Sequence, residues 1–296
     1  MSPPDDQETE IHGHPERIDS LLPDEMALRA EAIGEKKAQL DLLRLFALAV
    51  LAGAFISFGA MFATVAAAGA EGVLPYGVTR VLVGVVFSLG LVLVIVGGAE
   101  LFTGNALIVM GWAARRVSTV SVLRNWGIVY VGNMVGAIST AGLIFLSGQH
   151  EFGDGSVGRV ALATADAKGG LGFGQALALG VLCNVLVCLA VWLSLSARTT
   201  FGKIMAIVPP TAAFVAGGFE HSIANMYFMP LALFIKAGGS EGFWQLSGVM
   251  PADYPMLGWG RFVLNLVPVT IGNIIGGGGL VGAVYWFVYL RARKLR

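Results

Sequence analysis

The feature that most constrains this chain is a short pattern that occurs twice within apolar sequence. Residues 97–105 read GGAELFTGN and residues 217–225 read GGFEHSIAN, so both follow the spacing G-G-x-E-x-x-x-x-N. A glycine pair, a carboxylate and an amide are costly in hydrocarbon, where each unsatisfied backbone or charged group costs several kcal/mol. Two matched interruptions of hydrophobic segments are typical of a transporter built from inverted repeats, with its pathway between them.

Composition indicates a polytopic membrane protein. The 296 residues are 56% hydrophobic and 13% charged, with a mean hydropathy of +0.75. A helix needs about 20 apolar residues to cross a bilayer. We predict an all-α protein with six transmembrane helices, of which the second and fifth are each broken into two half-helices. The six segments are 42–69, 81–113, 121–147, 171–196, 203–237 and 262–290.

A second internal match supports the repeat. Residues 125–136 read N-x3-V-x2-G-N-x2-G, and residues 265–276 follow the same pattern. Each half then contains three spans, an odd number, so the halves at about 42–147 and 171–290 are expected in opposite orientations. Glycines spaced four apart, such as Gly132 and Gly136, favour close helix packing.

The polar parts of the chain divide into short regions around one channel domain, 42–291. Residues 1–22 are acidic and contain proline, which predicts a disordered tail. They lack the basic and apolar regions of a cleaved signal peptide. Residues 23–41 have the spacing of an amphipathic helix at the cytoplasmic membrane surface. Residues 292–296 form a basic cytoplasmic tail.

The distribution of Lys and Arg predicts the orientation in the cell (inner) membrane. Positive residues concentrate on the cytoplasmic side of such proteins. One side would hold Lys36, Lys37, Arg44, Arg115, Arg116, Arg124, Arg198, Lys203, Arg291, Arg293, Lys294 and Arg296. The other would hold only Arg80, Arg159, Lys168, Lys236 and Arg261. We therefore expect both termini in the cytoplasm, with the glycine-containing linkers 148–170 and 238–261 facing outward.

Three ionisable residues inside apolar segments are candidates for chemistry. Among the histidines only His221 lies in such a segment, and an ionisable group there is a functional candidate by default. The alternative is a neutral histidine that ties the broken helix together. Glu100 and Glu220 could carry protons or accept backbone N–H groups at the breaks; we prefer the second role, because the two positions are equivalent in the repeat. His221 aligns with Leu101 and breaks this symmetry.

Other residues at the breaks have simpler interpretations. Hydroxyls and amides there can replace missing backbone partners; they belong to Thr103, Ser222, Asn105, Asn133, Asn225 and Asn273. Large apolar side chains flank the breaks and either pack or form constrictions; they are Phe87, Leu91, Leu101, Phe102, Phe214 and Phe219. Cys183 and Cys188 lie too far apart on one helix to bond to each other and are interpreted as small buried hydrophobes.

The sequence gives no support for an enzyme. It has no G-x-x-x-x-G-K-[ST] loop, no C-x-x-C pair and no His/Cys cluster with metal-ligand spacing. It also lacks a basic groove with interleaved aromatic residues, so a nucleic-acid partner is not indicated. We expect no cofactor and no metal.

Four stretches resemble the formate/nitrite transporter family, and the likeness runs from about Lys36 to Arg291. They are GAELFTG at 98–104, CNVLVCLA at 183–190, FEHSIANM at 219–226 and NLVPVTIGN at 265–273. The resemblance implies a homopentamer of aquaporin-like protomers, each with its own pore for small monovalent anions such as formate, nitrite or hydrosulfide.

The resemblance also implies roles for individual residues. His221 would be the central pore histidine and Thr103 its partner, while Lys168 would attract anions at the outer vestibule. Two hydrophobic constrictions would be formed by Phe87, Leu91, Leu101 and Phe214. The site would be supported by Asn184, Glu220, Asn225 and Asn265.

Formate is the expected substrate, crossing as the anion or with a proton. Proton sharing with His221, or passage as the neutral acid, would lower the barrier. Glu100 stands where some formate channels carry Asp, and Gly104-Asn105 also varies in the family, so nitrite and hydrosulfide remain alternatives. A pore for water or glycerol fits less well, because paired Asn-Pro-Ala loops are missing. A receptor or anchor that uses the acidic tail is the non-transport alternative.

Overall fold

The computed structural model describes residues 20–291, and no β-strand occurs among them, as the all-α prediction requires. The α-helices are α1 (Pro23–Ala38), α2 (Leu42–Ala67), α3 (Tyr76–Gly97), α4 (Val109–Ala113), α5 (Thr119–Leu146), α6 (Ser156–Gly169), α7 (Phe173–Ser196), α8 (Thr200–Ala216), α9 (Ser222–Gly238), α10 (Glu241–Ser247) and α11 (Trp259–Ile274). Short 3-10 turns cover Gly104–Ile108, Gln149–Glu151 and Pro251–Asp253, and wider π-helical turns continue α11 over Ile275–Ala283 and Trp286–Leu290.

Five helices are long and apolar enough to cross a bilayer: α2, α3, α5, α7 and the continuous run Trp259–Leu290. The chain is therefore an integral membrane protein. The remaining predicted span, 203–237, contains two 17-residue helices, α8 and α9. The predicted tail residues 1–19 and the basic residues 292–296 lie outside the described part of the chain.

Helices α2 and α7 occupy corresponding places in the packing. Helix α2 packs against α3 and α5, and α7 packs against α8 and α11. A Cβ atom built at Gly53 or Gly136 would collide with the backbone of the facing helix between α2 and α5. One built at Gly180 or Gly272 would do the same between α7 and α11. Glycine thus allows close backbone approach in both pairs, as predicted for Gly136.

The two linkers predicted as glycine-containing loops each contain a helix, α6 in 148–170 and α10 in 238–261. Helix α6 packs against α9 and buries Val157, Ala161 and Ala165. These apolar residues recur every four positions, which is helical spacing. No helix was predicted for either linker, although this period was present in the first of them. Helix α6 positions Lys168.

Helix α1 packs on the ends of the membrane helices. It contacts the Gly104–Ile108 turn, α4 and α7. Met26, Ala27 and Ala30 form its buried side. This packing brings Lys37, in the last turn of α1, to the first of the two repeated motifs.

Candidate functional site

The second glycine of each repeated motif lies where a helix ends. Helix α3 ends at Gly97, and Gly98 has φ of +79°; α8 ends at Ala216, and Gly218 has φ of +72°. Residues with a Cβ atom rarely adopt this left-handed conformation, whereas glycine does so without strain. The glycine pairs therefore stop both helices and turn the chain toward the glutamates.

An asparagine from α5 holds the first loop in place. Asn133 Oδ1 accepts a hydrogen bond from the Phe102 backbone N–H at 2.9 Å. Its amide nitrogen donates to the carbonyl oxygens of Ala49, at 2.7 Å, and Glu100, at 2.9 Å. One buried side chain thus satisfies two loop backbone groups, Phe102 N–H and the Glu100 carbonyl, and ties them to the interior of α2 through Ala49.

Asn273 from α11 does the same for the second loop. Its Oδ1 accepts from the Ser222 backbone N–H at 3.0 Å, and its amide donates to the carbonyls of Gly180 and Glu220 at 2.8 and 3.0 Å. The prediction that amides replace missing backbone partners is confirmed for Asn133 and Asn273.

Glu100 does not bind backbone N–H groups, so the role preferred for it was wrong. Its Oε1 lies 3.0 Å from Lys37 Nζ, and its Oε2 accepts from Asn105 Nδ2 at 2.7 Å. Asn105 also donates to Asn125 Oδ1 at 3.0 Å, and Asn125 donates to the Lys37 carbonyl at 3.1 Å. The buried Glu100 carboxylate binds Lys37, whereas the backbone N–H group at the break binds the Asn133 side chain.

Glu220 has the same surroundings, and the same correction applies to it. Its Oε1 accepts from Lys168 Nζ at 2.7 Å and its Oε2 from Asn225 Nδ2 at 2.6 Å. Asn225 also donates to Asn265 Oδ1 at 2.7 Å, and Asn265 donates to the Lys168 carbonyl at 3.0 Å. The predicted residues Lys168, Glu220, Asn225 and Asn265 therefore form one connected cluster.

Lys37 is the residue of this arrangement that the sequence reasoning missed as a site residue. Its repeat partner is Lys168, since each stands five residues before the start of the next long helix, at Leu42 or Phe173. The predicted spans begin at residues 42 and 171, so the equal spacing emerges only with the helix starts of the structure.

His221 and Thr103 meet between the two loops. His221 Nε2 lies 3.0 Å from Thr103 Oγ1, and His221 Nδ1 accepts from the Ala224 backbone N–H at 3.1 Å. A backbone N–H can only donate, so Nδ1 carries no proton. The proton of the neutral ring therefore lies on Nε2, which donates to Thr103. His221 caps α9 as well as meeting Thr103.

The Thr103 backbone is supported by α7. Its carbonyl accepts from Asn184 Nδ2 at 3.1 Å and lies 3.4 Å from Cys188 Sγ. Asn184 also donates to the Asn273 carbonyl at 2.6 Å, which connects the two loops. Both cysteines are free and buried, as expected. Cys188 is in addition a weak donor to the loop through its thiol.

The four predicted constriction residues surround this pair and are all at most 3% exposed. The rings of Phe87 and Phe214 meet edge to face with centroids 5.8 Å apart. Phe214 also stacks on the His221 ring at 5.9 Å. These contacts place a polar side chain against an apolar wall.

Two cavities are lined in part by these residues. The Glu100-side cavity has a volume of about 240 Å³, and Leu91, Leu101, Lys37 and Glu100 are among the residues that line it.

No His/Cys/Asp/Glu group that could hold a metal ion occurs within residues 20–291.

The Glu220-side cavity is larger, about 800 Å³, and Phe87, Phe214, His221, Lys168 and Glu220 are among its lining residues. The phenylalanine pair thus faces one cavity and the leucine pair the other.

Comparisons with known proteins identify the family of the chain. The profile of the formate/nitrite transporter family matches residues 24–287. The formate channel FocA of Escherichia coli (strain K12) is 46% identical over 275 residues, which cover 93% of this chain and 96% of FocA. FocA of Haemophilus influenzae (strain ATCC 51907 / DSM 11121 / KW20 / Rd) is 38% identical over 264 residues, 89% of this chain and 93% of that protein.

A solved structure described as a pentameric formate channel with formate bound superposes with a TM-score of 0.80 at 43% identity, covering 84% of this chain and 98% of its own. The family profile covers most of the described helices, and the relatives are matched along nearly their whole length. The chain belongs to the formate/nitrite transporter family.

Proposed function

We propose that the protein lets small monovalent anions, formate first among them, cross the membrane through a pore with His221 at its centre. The observation that carries this proposal is the hydrogen-bonded Thr103–His221 pair at an apolar barrier between two charged cavities. The formate channels named above support formate as the substrate. The relatives are channels, which accords with a protein that is not an enzyme.

We propose that each protomer is built from two inverted three-helix repeats, whose second and fifth spans are interrupted. The duplicated Lys–Glu–Asn–Asn clusters support this arrangement. The distribution of Lys and Arg supports cytoplasmic termini. In that orientation the Glu100-side cavity opens to the cytoplasm and the Glu220-side cavity opens outward. The pentameric relative supports a homopentamer in the inner membrane, in which each protomer has its own pore.

The proposed mechanism follows from the cost of charge in the barrier. An ionised group at the centre of a bilayer costs about 2.5–3.5 kcal/mol or more. A weak acid such as formate avoids this cost if it takes a proton in the cavity and crosses as the neutral acid. Adding a proton to His221 would require Nδ1 to give up its bond from Ala224 N–H. The neutral ring donates to the passing solute by exchanging its Nε2 bond to Thr103 for one to the solute. In acid the ring can share a proton with formate once Nδ1 gives up the bond from Ala224 N–H.

The first experiment is flux in proteoliposomes that contain the purified protein. The internal pH is followed after formate is added, with nitrite and hydrosulfide in parallel and protein-free vesicles as the control. A rapid formate-dependent change above the control is expected. Flux of nitrite or hydrosulfide without formate flux would support an anion channel but contradict formate as its substrate.

His221→Asn tests the central role of the ring. We expect this variant to lose the stimulation of formate uptake by external acid, because asparagine cannot exchange a proton with the solute. Uptake is measured between pH 7 and pH 5, and Ser222→Ala is a neighbouring control whose profile should stay as in the wild type. An unchanged pH profile in His221→Asn would contradict proton sharing at this position.

A further inference from the structure

We propose that Arg80, rather than Lys168, supplies the net positive charge that draws anions into the Glu220-side cavity. The inference rests on the proposed anion passage and adds a specificity-determining residue to it. Arg80 lies in the first turns of α3, half-buried, and lines the same cavity as Lys168.

Lys168 is poorly suited to attract anions from a distance, because its charge is already paired. Its Nζ lies 2.7 Å from Glu220 Oε1, and the two side chains are only 14% and 5% exposed. An ion pair has little net charge, and its field falls off quickly outside the pair. Lys168 therefore holds Glu220 in place while adding little to the potential at the mouth of the cavity.

Among residues 20–291, the hydrogen-bond partners of Arg80 are backbone carbonyls. Its Nε donates to the Ala216 oxygen at 3.1 Å and its Nη2 to the Val215 oxygen at 2.6 Å. Within residues 20–291, no carboxylate lies within ion-pair distance of its guanidinium. A guanidinium has five N–H donors and cannot lose its proton in a protein. Three donors and the full charge are therefore left for the cavity.

The carbonyls that Arg80 binds form the end of α8, which also faces the cavity. Phe219 N–H closes on the Phe214 oxygen and Gly218 N–H on the Val215 oxygen, both at 3.0 Å, which leaves the Ala216 oxygen to Arg80. A helix C-terminus carries roughly half a negative charge. Without Arg80 this end would repel an approaching anion. The guanidinium thus removes a repulsive charge and adds an attractive one.

The remaining carboxylate of the cavity lies at its rim. Glu71 is exposed in the turn between α2 and α3, where water and salt screen its charge. The second half of the chain has Thr200 at the position that corresponds to Arg80. The cations that line the Glu100-side cavity besides Lys37 are Arg29 and Lys203, which come from other positions.

The test compares formate uptake into right-side-out and inside-out membrane vesicles for Arg80→Gln, Arg80→Lys and the wild type. For entry from the Glu220 side, Arg80→Gln should raise the half-saturating formate concentration by about five-fold and weaken its dependence on ionic strength. Arg80→Lys should keep most of the wild-type behaviour. Arg261→Gln removes an exposed charge at the start of α11, away from the cavity lining, and should change neither quantity.

Charge can also be restored after folding, which separates electrostatics from assembly. Arg80→Cys is treated in sealed right-side-out vesicles with a cationic or a neutral methanethiosulfonate reagent, since Cys183 and Cys188 are buried. Only the cationic reagent should lower the half-saturating concentration. Equal effects of the two reagents, or an unchanged ionic-strength dependence in a pentameric Arg80→Gln, would overturn the proposal. Absence of formate flux in the wild type would instead refute the proposed function.

Discussion

The two halves of the chain have the same polar scaffold but differ at the barrier. In each half a lysine binds the motif glutamate, and an asparagine of the next long helix holds the loop. At the barrier the sequences diverge, since His221 corresponds to Leu101 and Thr103 to Ile223. The shared residues therefore hold the loops in place, and the residues that differ form the polar Thr103–His221 pair that we propose as the centre of the pore.

The largest expected effect is on stability, from removal of the asparagines that hold the loops. Asn133→Leu and Asn273→Leu should each lower the free energy of unfolding by roughly 3 kcal/mol, since two buried loop backbone groups lose their partner and a third bond, to a helix carbonyl, is lost as well. If the scaffold is duplicated, the two variants should lose similar amounts of stability. The measurement is thermal unfolding of the purified protein in detergent.

Asn133→Asp and Asn273→Asp serve as matched controls for size. Each keeps an oxygen that can accept the loop N–H and loses the donor, so the pair should again behave alike. If one Leu variant remained folded while the other unfolded, the two loops would be held in different ways. That outcome would contradict the shared scaffold.

The next effect concerns the ion pairs, where the halves should differ slightly. Glu220→Gln leaves Lys168 without its carboxylate and should cost about 2 kcal/mol of stability. Glu100→Gln should cost less, because the Lys37 side chain is 28% exposed against 14% for Lys168 and reaches water more easily. Unfolding midpoints of both variants provide the measurement.

Asp41→Asn is the surface control for these two variants. Asp41 pairs with Arg44 at 3.3 Å, with side chains 55% and 80% exposed, so loss of the pair should cost well under about 1 kcal/mol. A larger loss for Glu100→Gln than for Glu220→Gln would contradict the role given to solvent exposure.

A smaller effect is expected when the contact between Cys188 of α7 and the Thr103 carbonyl is removed. Cys188→Val removes a weak donor to the Thr103 carbonyl and should cost about 1 kcal/mol and slow formate flux. Cys188→Ser should restore both, since serine can donate to the same oxygen and already stands at the corresponding position, Ser57, in the first half. Equal flux in the Val and Ser variants would show that the thiol contact does not position Thr103.

Much of the fold could be predicted from the sequence, because apolar runs and glycine pairs mark helices and their ends. The partners of the glutamates could not. Lys37 stands beside Lys36 in a charged stretch, and nothing local tells which lysine turns toward Glu100. That choice depends on how α1 packs against the Gly104–Ile108 turn, a contact between segments far apart in the chain.

The pairing of Thr103 with His221 was predicted in a different way. It was expected only through the family resemblance, because the two residues come from different halves and no spacing relates them. Phe87, Leu91 and Phe214 were selected in the same way from many apolar residues of similar type. Periodicity tells that such residues are buried, but only the packed structure tells which of them separate two cavities.

The smallest expected effect lies in the segment that joins the two halves. His150 is 7% exposed, its ring centroid lies 5.1 Å from those of Phe145 and Phe243, and burial lowers its pKa, although the nearby Glu151 carboxylate partly raises it. With the folded pKa below the usual value of about 6.5, the unfolded chain binds more protons as the solution becomes acidic. Stability should thus be complete above about pH 7 and decline as the pH falls through 6.5. Between pH 7.5 and pH 5, the unfolding midpoint of the wild type should fall slightly more than that of His150→Phe. The midpoint of Glu151→Gln should fall more than that of the wild type. Equal pH dependence of the midpoint in all three proteins would show that His150 titrates as it does in water.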